Sequence, residues 1–177
     1  MRTVPFEPEH LEEMADLGGQ DWMLGFLADD HAEALAVGGP GFTGFIDGRV
    51  VGVAGITLIT PYRAVTWAAV SRWSTKHFTT IHRAVRRFVW EECTVTRLEA
   101  FVDMDYGVGH RWAKMLGFTP EGGPKEFYLA DGRAAQEYVR ILDGHSTSNR
   151  QRGGRSDLGN SAGQSASGGG DIQRQGC

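Results

Sequence analysis

The stretch from Ser71 to Thr80, SRWSTKHFTT, gathers the side chains best suited to holding an anion. It carries the cations Arg72 and Lys76, an imidazole at His77, and hydroxyls that include Ser74, Thr79 and Thr80. A helix that starts in such a turn presents unpaired backbone N–H groups and the positive end of its dipole, the physical basis of phosphate binding. Ser74, Thr79 or Thr80 can supply its N-cap. Downstream, His82, Arg83, Arg86 and Arg87 extend the basic character. From Gly48 to Trp90 there is no Asp or Glu but seven Lys or Arg, in a chain whose formal net charge is −4. A basic centre in an acidic chain suits a local anionic ligand. The same pattern also describes a solvent-facing helix side whose arginines pair with Glu91 and Glu92.

Two elements must position that turn. Before it, Ala64 to Val70 is small, β-branched or aromatic and suits a buried strand. After it, Ile81, Val85 and Phe88 recur at helical spacing and give one apolar face. Upstream, Thr3 to Phe6 reads as a short strand. A helix follows from Pro8, with Leu11, Met14, Ala15 and Leu17 on one face and a stop at Gly18-Gly19. A second helix spans about Asp30 to Val37, where Asp29, Asp30 and Glu33 suit the first turn. Two strands meet at Asp47-Gly48, a type I′ hairpin signal, and Gly52 and Gly55 mark a close approach or a bulge. Beyond Cys93, RLEAFVD reads as a strand ending at Asp103, a helix covers about Gly107 to Leu116, and KEFYLADGRAAQEYVRIL reads as a closing hairpin turning at Asp131-Gly132. The class is α+β, with a mixed sheet of six to seven strands, mostly antiparallel, flanked by about four helices.

Residues 1–143 have the composition of one domain, while 144–177 is rich in Gly, Ser and Arg and reads as a flexible tail. Two cysteines, Cys93 and Cys177, need not meet, and the absence of a disulfide framework points to a reducing compartment and a cytoplasmic location. No apolar run approaches membrane-spanning length, and no clustered spacing suggests a metal site.

The order of elements resembles the GCN5-related N-acetyltransferase (GNAT) superfamily, and GHRWAKMLGF, Gly109 to Phe118, is similar to that family's fourth helix with its terminal Leu-Gly-Phe. The resemblance implies an acetyl-CoA cofactor lying where the fourth and fifth strands splay apart. It places the cofactor on Val70, Arg72, Ser74, Lys76, His77, Thr79 and Thr80. The family's phosphate loop has spaced glycines and SRWSTKHFTT has none, so its backbone has less freedom to wrap an anion. Many members also carry a tyrosine that protonates the departing thiolate where this chain has Ala113, which cannot donate a proton; Tyr106, about two turns earlier on the same helix, is not an automatic substitute and reads either as a catalytic candidate or as a half-buried anchor.

Transfer of an acetyl group to an amine needs that amine neutral, and the candidates to accept its proton are Asp103 and Asp105, with Glu99 behind them. His77 and His82 are further bases, better suited to phosphate or solvent. The expected partner is then a small-molecule or protein amine. The alternative is a non-catalytic bacteriophage virion component that keeps the fold and partners other virion proteins, with the tail ordering on assembly. A third reading, nucleic-acid binding through Arg83, Arg86, Arg87, Trp73, Phe78 and Trp90, runs against the net negative charge.

Overall fold

The computed structural model describes residues 1–16 and 31–142. The expected helix stop at Gly18-Gly19, the acids Asp29 and Asp30, and the tail from Gly144 lie outside the described residues. In chain order the elements are β1 Arg2–Pro5, α1 Pro8–Asp16, α2 His31–Gly38, β2 Gly41–Ile46, β3 Arg49–Thr60 and β4 Arg63–Val70. A 3-10 turn, Arg72–His77, leads into α3 Phe78–Arg87. Then come β5 Arg97–Asp103, α4 Gly107–Met115, β6 Thr119–Pro120 and β7 Ala135–Ile141. The strands form one sheet in the order β1-β2-β3-β4-β5-β7-β6. Every neighbouring pair is antiparallel except β4 and β5. This is the expected α+β class.

The long apolar β3 lies inside the sheet because both of its faces are covered. Consecutive strand residues point to opposite faces. The register shift opposite Gly44/Phe45 breaks that alternation once within β3, so Val50 and Val53 both join Phe6, Leu11 and Met14 in a cluster under α1 and α2. Val51, Ala54 and Ile56 join Ile81, Val85 and Phe88 of α3 and Leu116 after α4. The Asp47-Gly48 turn forms as expected, with φ of 50° and 74° at its two central residues. Gly55 allows an aromatic ring, rather than a backbone, to come close: a Cβ there would sit 2.4 Å from Trp67 Cζ2.

Helix α3 does not stop at Arg87 but widens into a π-helical turn, Phe88–Glu92, closed by Cys93 N–H donating to Phe88 O at 3.0 Å. The widened turn points Trp90 Nε1 at Leu116 O, 3.2 Å away. It also leaves Val89 O to accept from Arg140 Nη1 at 3.2 Å. The Arg140 guanidinium is buried, lies 3.2 Å from the Trp90 ring centroid, and has its pKa lowered mainly by burial. Gly117 closes α4 at φ 86°, where a Cβ would also meet Trp90 at 2.8 Å. The glycine of Leu-Gly-Phe is thus required twice, by its backbone and by its neighbour.

The closing hairpin forms only in part. Asp131-Gly132 does turn, with Gly132 at φ 81°. The arm before it is not a strand, and its single bridge to β7 is Lys125 with Ala135. Phe127 takes φ 54°, outside the extended region, and β7 pairs instead with β6 and β5.

The parallel β4–β5 ladder covers only Arg63/Arg97, Ala64/Leu98 and Val65/Glu99. At its last rung Glu99 is almost fully buried, at 1 % exposure. Its two oxygens accept from Arg63 Nε at 2.7 Å and Nη2 at 2.8 Å, and from Arg97 Nε at 2.5 Å. Thr66 Oγ1 donates to Glu99 O at 2.9 Å. Arg97 continues the network to Glu121 and Glu137, and Lys125 Nζ reaches Glu137 at 3.0 Å. The hydrogen bond from Arg63, reinforced by Arg97, holds the Glu99 carboxyl below its usual range.

A carboxyl whose folded pKa is depressed contributes stability that is present above its unfolded value and is lost as pH falls through the folded one. Glu99→Gln is expected to cost about 2 kcal/mol at neutral pH, less than a fully buried pair because both arginines retain access to water. The difference between wild type and variant should shrink as pH drops below about 4. Urea denaturation of both proteins at neutral and acidic pH measures this.

Candidate functional site

Past Val65/Glu99 the two strands no longer pair, and a cavity of about 630 Å³ opens between them. Val65 to Val70 of β4 and Ala100 to Asp103 of β5 form its sides. Val85 and Phe88 of α3 with Gly109, Trp112 and Ala113 of α4 close it on one face of the sheet, while Leu11 and Leu35 reach it from α1 and α2 on the other. The slot therefore passes through the sheet.

Asp103, Asp105 and Tyr106, the three residues expected to do chemistry, all line this cavity. Asp103 is constrained: Oδ1 accepts from the Asp105 N–H at 2.9 Å and Oδ2 pairs with Arg133 Nη1. Arg133 Nε also binds Asp131 Oδ2 at 2.6 Å, and hydrogen bonds from Arg133 hold the Asp131 carboxyl below its usual range. Asp105 is exposed on the cavity wall. The Tyr106 ring folds back over α4, which requires Gly109: a Cβ there would lie 2.5 Å from Tyr106 Cδ1. Ala113 lies on the same wall and is buried. Glu99 is no base waiting behind the aspartates, because both of its oxygens are occupied by arginines at the root of the fork.

Of the cofactor candidates, Val70 lines the cavity, whereas Arg72, Ser74, Lys76, His77, Thr79 and Thr80 are outside its lining. The turn begins at the rim, immediately after Val70. It is wound as a 3-10 helix with Ser71 as N-cap, and α3 has His77 as its N-cap with no side-chain capping bond. The expected caps from Ser74, Thr79 and Thr80 therefore do not form. Instead Ser74 is buried, its hydroxyl donating to Ser71 O at 2.5 Å and its N–H to the same oxygen at 2.9 Å. Winding the turn this way consumes an amide that an open loop would have left for an anion.

His82 is half-buried and bonded within the protein. Its Nδ1 accepts from Trp112 Nε1 at 3.2 Å and its ring stacks on Phe78 at 6.2 Å, so α3 and α4 are tied together here. Burial, with Arg86 nearby, lowers its pKa and favours the neutral ring. Burial likewise pushes the Cys93 thiol up to about 11, which leaves it protonated and unreactive.

Two site residues carried no local signal in the sequence. Tyr128 lines the cavity and stacks on Phe101 at 4.4 Å, with its phenol pKa raised mainly by burial. Arg133 lines it from just beyond the Asp131-Gly132 turn. Both were hidden by reading this segment as a regular hairpin arm. Trp67, also on the wall, has a buried indole N–H with no partner among the described residues.

The arrangement is a narrow, largely apolar slot through a sheet, with carboxylates and phenols at one end and a basic turn at its rim. It can hold a long flexible molecule with its reactive end near Asp105 and Tyr106. Solved structures with the same architecture include smu.2055 from Streptococcus mutans UA159, at TM-score 0.62 and 17% identity, covering 80% of this chain and 99% of that one. RimL, a ribosomal L7/L12 alpha-N-protein acetyltransferase in complex with coenzyme A, matches at TM-score 0.60 and 14% identity, over 80% and 93%. An acetyltransferase of GNAT family from Streptococcus pneumoniae matches at TM-score 0.56 and 12% identity, over 80% and 99%. The fold is that of the GNAT acetyltransferases. No protein-family model matches the chain, and no curated protein matches it. Among the described residues of this GNAT-fold chain, no helix is long and apolar enough to cross a membrane.

The cavity wall is sensitive to Gly55, since a Cβ there would also lie 2.9 Å from Gly41 Cα and neither backbone nor indole can yield freely. Gly55→Ala is expected to destabilise the fold by about 2 kcal/mol through overpacking. It should also shift tryptophan fluorescence as Trp67 is displaced. Urea denaturation followed by emission reads both.

Proposed function

We propose that this chain is an acyl-CoA-dependent N-acyltransferase, with an amine as acceptor. The observation that carries the reading is the open fork: a cofactor-free structural use of the fold has no need of strands that part after three rungs and leave a slot through the sheet. The slot suits a coenzyme arm, because β4 from Thr66 to Val70 has no strand partner on its β5 side and can hydrogen-bond along an extended ligand. The exposed Arg72 and Lys76 at the rim would hold the phosphates, with side-chain charge doing more than backbone amides. The CoA bound in the RimL structure supports the same class of ligand.

Acyl-CoA, when bound, supplies an activated thioester carbonyl. Asp105 would take the proton that an ammonium must lose before its nitrogen can attack, directly or through one water. Asp103, fixed by Arg133, positions Asp105 through the bond to its backbone N–H. Tyr106 stands on the same wall, and the phenol of Tyr128, its pKa raised, keeps its proton. No covalent enzyme intermediate is required, since direct attack by the amine suffices.

Acetyl-CoA or CoA at roughly 100 times its Kd should raise Tm by about 8 °C and slow amide exchange along Thr66 to Val70. No shift at millimolar ligand removes the proposal and leaves an architectural role. With an amine acceptor in hand, Asp105→Asn should lower kcat/KM about 10²-fold while leaving Tm within about 1 °C.

A further inference from the structure

We propose that His110 is a positioning residue for Asp105, holding the peptide unit from which that side chain projects. The inference rests on the acyltransferase reading and adds a residue to that same site. A peptide unit is planar, so fixing its N–H and its C=O fixes the direction of the next Cα. The unit that matters joins Met104 to Asp105, in the loop between β5 and α4. Its N–H donates to Asp103 Oδ1 at 2.9 Å. Its C=O accepts from His110 Nε2 at 3.1 Å. Asp103 and His110 thus grip opposite edges of one plane.

The chemistry of the partners decides which ring nitrogen carries the hydrogen. A backbone carbonyl only accepts, so Nε2 is the donor, and in the neutral ring Nδ1 is then the acceptor. Nδ1 lies 3.0 Å from the Tyr138 hydroxyl, which donates to it. Tyr138 stands in β7 and is buried, and a buried phenol needs such a partner. The bonds therefore run outward from the sheet, through the imidazole, to the carbonyl just before Asp105. Each link orients the next: Tyr138 selects the tautomer and the ring direction, and the ring fixes the peptide plane.

The neighbouring peptide units are held differently. The unit before is tied by Met104 N–H donating to Ala134 O at 3.1 Å, and the unit after by Tyr106 N–H donating to Asp103 O at 2.9 Å. Those are backbone bonds, whereas the unit between them is held by two side chains. Without His110 it would keep only its bond to Asp103, itself anchored on Arg133, and could tilt about that point. Asp105 is exposed on the cavity wall, so backbone direction rather than packing places its carboxylate. A general base must stay within hydrogen-bond reach of the proton it takes, and a misplacement of about 1 Å can cost on the order of 10²-fold in rate.

The test compares two variants of the full chain that each keep half of the imidazole. His110→Gln has an amide N–H at the reach of Nε2 and can keep the bond to Met104 O, while His110→Asn stops at the reach of Nδ1 and keeps only the Tyr138 side. Acetyl transfer from acetyl-CoA to a lysine-containing peptide is read as released thiol, and acetyl-CoA binding by calorimetry. His110→Asn is expected to lower kcat about tenfold with the acetyl-CoA Kd unchanged within about twofold, and His110→Gln to stay within about threefold of wild type. In an Asp105→Asn background, His110→Asn should add less than about a twofold loss, because its effect passes through the missing carboxylate. Equal losses in the two variants, or a loss that persists in full without Asp105, would overturn the inference. Amide exchange at Asp105 needs no acceptor: it should be about tenfold faster in His110→Asn than in His110→Gln, and equal rates count equally against the role. If His110→Asn does not fold, Tyr138→Phe replaces it and should lower kcat several-fold, again only while Asp105 is present. A chain that binds acetyl-CoA but shows equal exchange in the variants loses only this role. One that binds no acetyl-CoA loses the proposed function and this role together.

Discussion

The clamp of Arg63 and Arg97 on Glu99 is the constraint from which the site follows. Two strands that diverge must be fastened where they still meet, or the sheet would open along its length. Here the fastening is a carboxylate buried to 1 % exposure, held by two guanidinium groups, with Thr66 Oγ1 bonding the carbonyl of the same residue. An ion pair of this kind is poor value as bulk stabilisation, because taking charge out of water offsets much of its attraction. Its merit is directional. A bidentate arginine fixes one register, and a single-residue slip would bury unpaired charge. The fork therefore opens after Val65 and at no other rung.

Opening the fork creates a second demand, since neither strand edge can lean on the other for packing. The two faces answer it differently. On one, α1 and α2 set Leu11 and Leu35 over the gap. On the other, α3 and α4 are joined through Trp112 and His82, then again through Trp90 and the Leu116 carbonyl. The second link exists only because α3 ends in a π-helical turn, which rotates Trp90 toward α4 and leaves a carbonyl for the buried Arg140. A regular helix would have satisfied that carbonyl internally and left Arg140 without a hydrogen-bond acceptor. The widened turn and the buried arginine thus explain one another.

The sequence made the elements readable, for a physical reason. Strand and helix periods, Asp47-Gly48, and the Leu-Gly-Phe at Gly117 are local signals, and each sits where the backbone needs it. The residues at the end of β5 were readable as candidates, and Asp103, Asp105 and Tyr106 do share one cavity. What could not be read was any feature made by the absence of pairing. An apolar strand such as Ala64 to Val70 has the same composition whether its neighbour stays or departs. Glu99 shows the difficulty at one residue: among strand carboxylates near a site it resembled a base, and only the arrival of Arg63, distant in sequence, turns it into a rivet. Tyr128 and Arg133 were missed because Asp131-Gly132 is a sound hairpin turn. The arm before it failed to follow, with Phe127 at positive φ breaking the extension.

The basic turn carries the remaining tension between pattern and geometry. Its residue types suit an anion, yet its backbone is wound into 3-10 hydrogen bonds and its best capping hydroxyl, Ser74, is spent on Ser71. A glycine-lined loop recognises phosphate through several convergent amides, rigidly and at close range. A wound turn that bears Arg72 and Lys76 would recognise it through side-chain charge, which acts at greater distance and is more easily screened by salt. Anchoring at the rim is then weaker, and more of any ligand's hold must come from the slot below. Under the proposed acyl-CoA binding, a chain that gives up backbone phosphate contacts while keeping a large apolar cavity would draw its hold on the ligand from burial more than from charge.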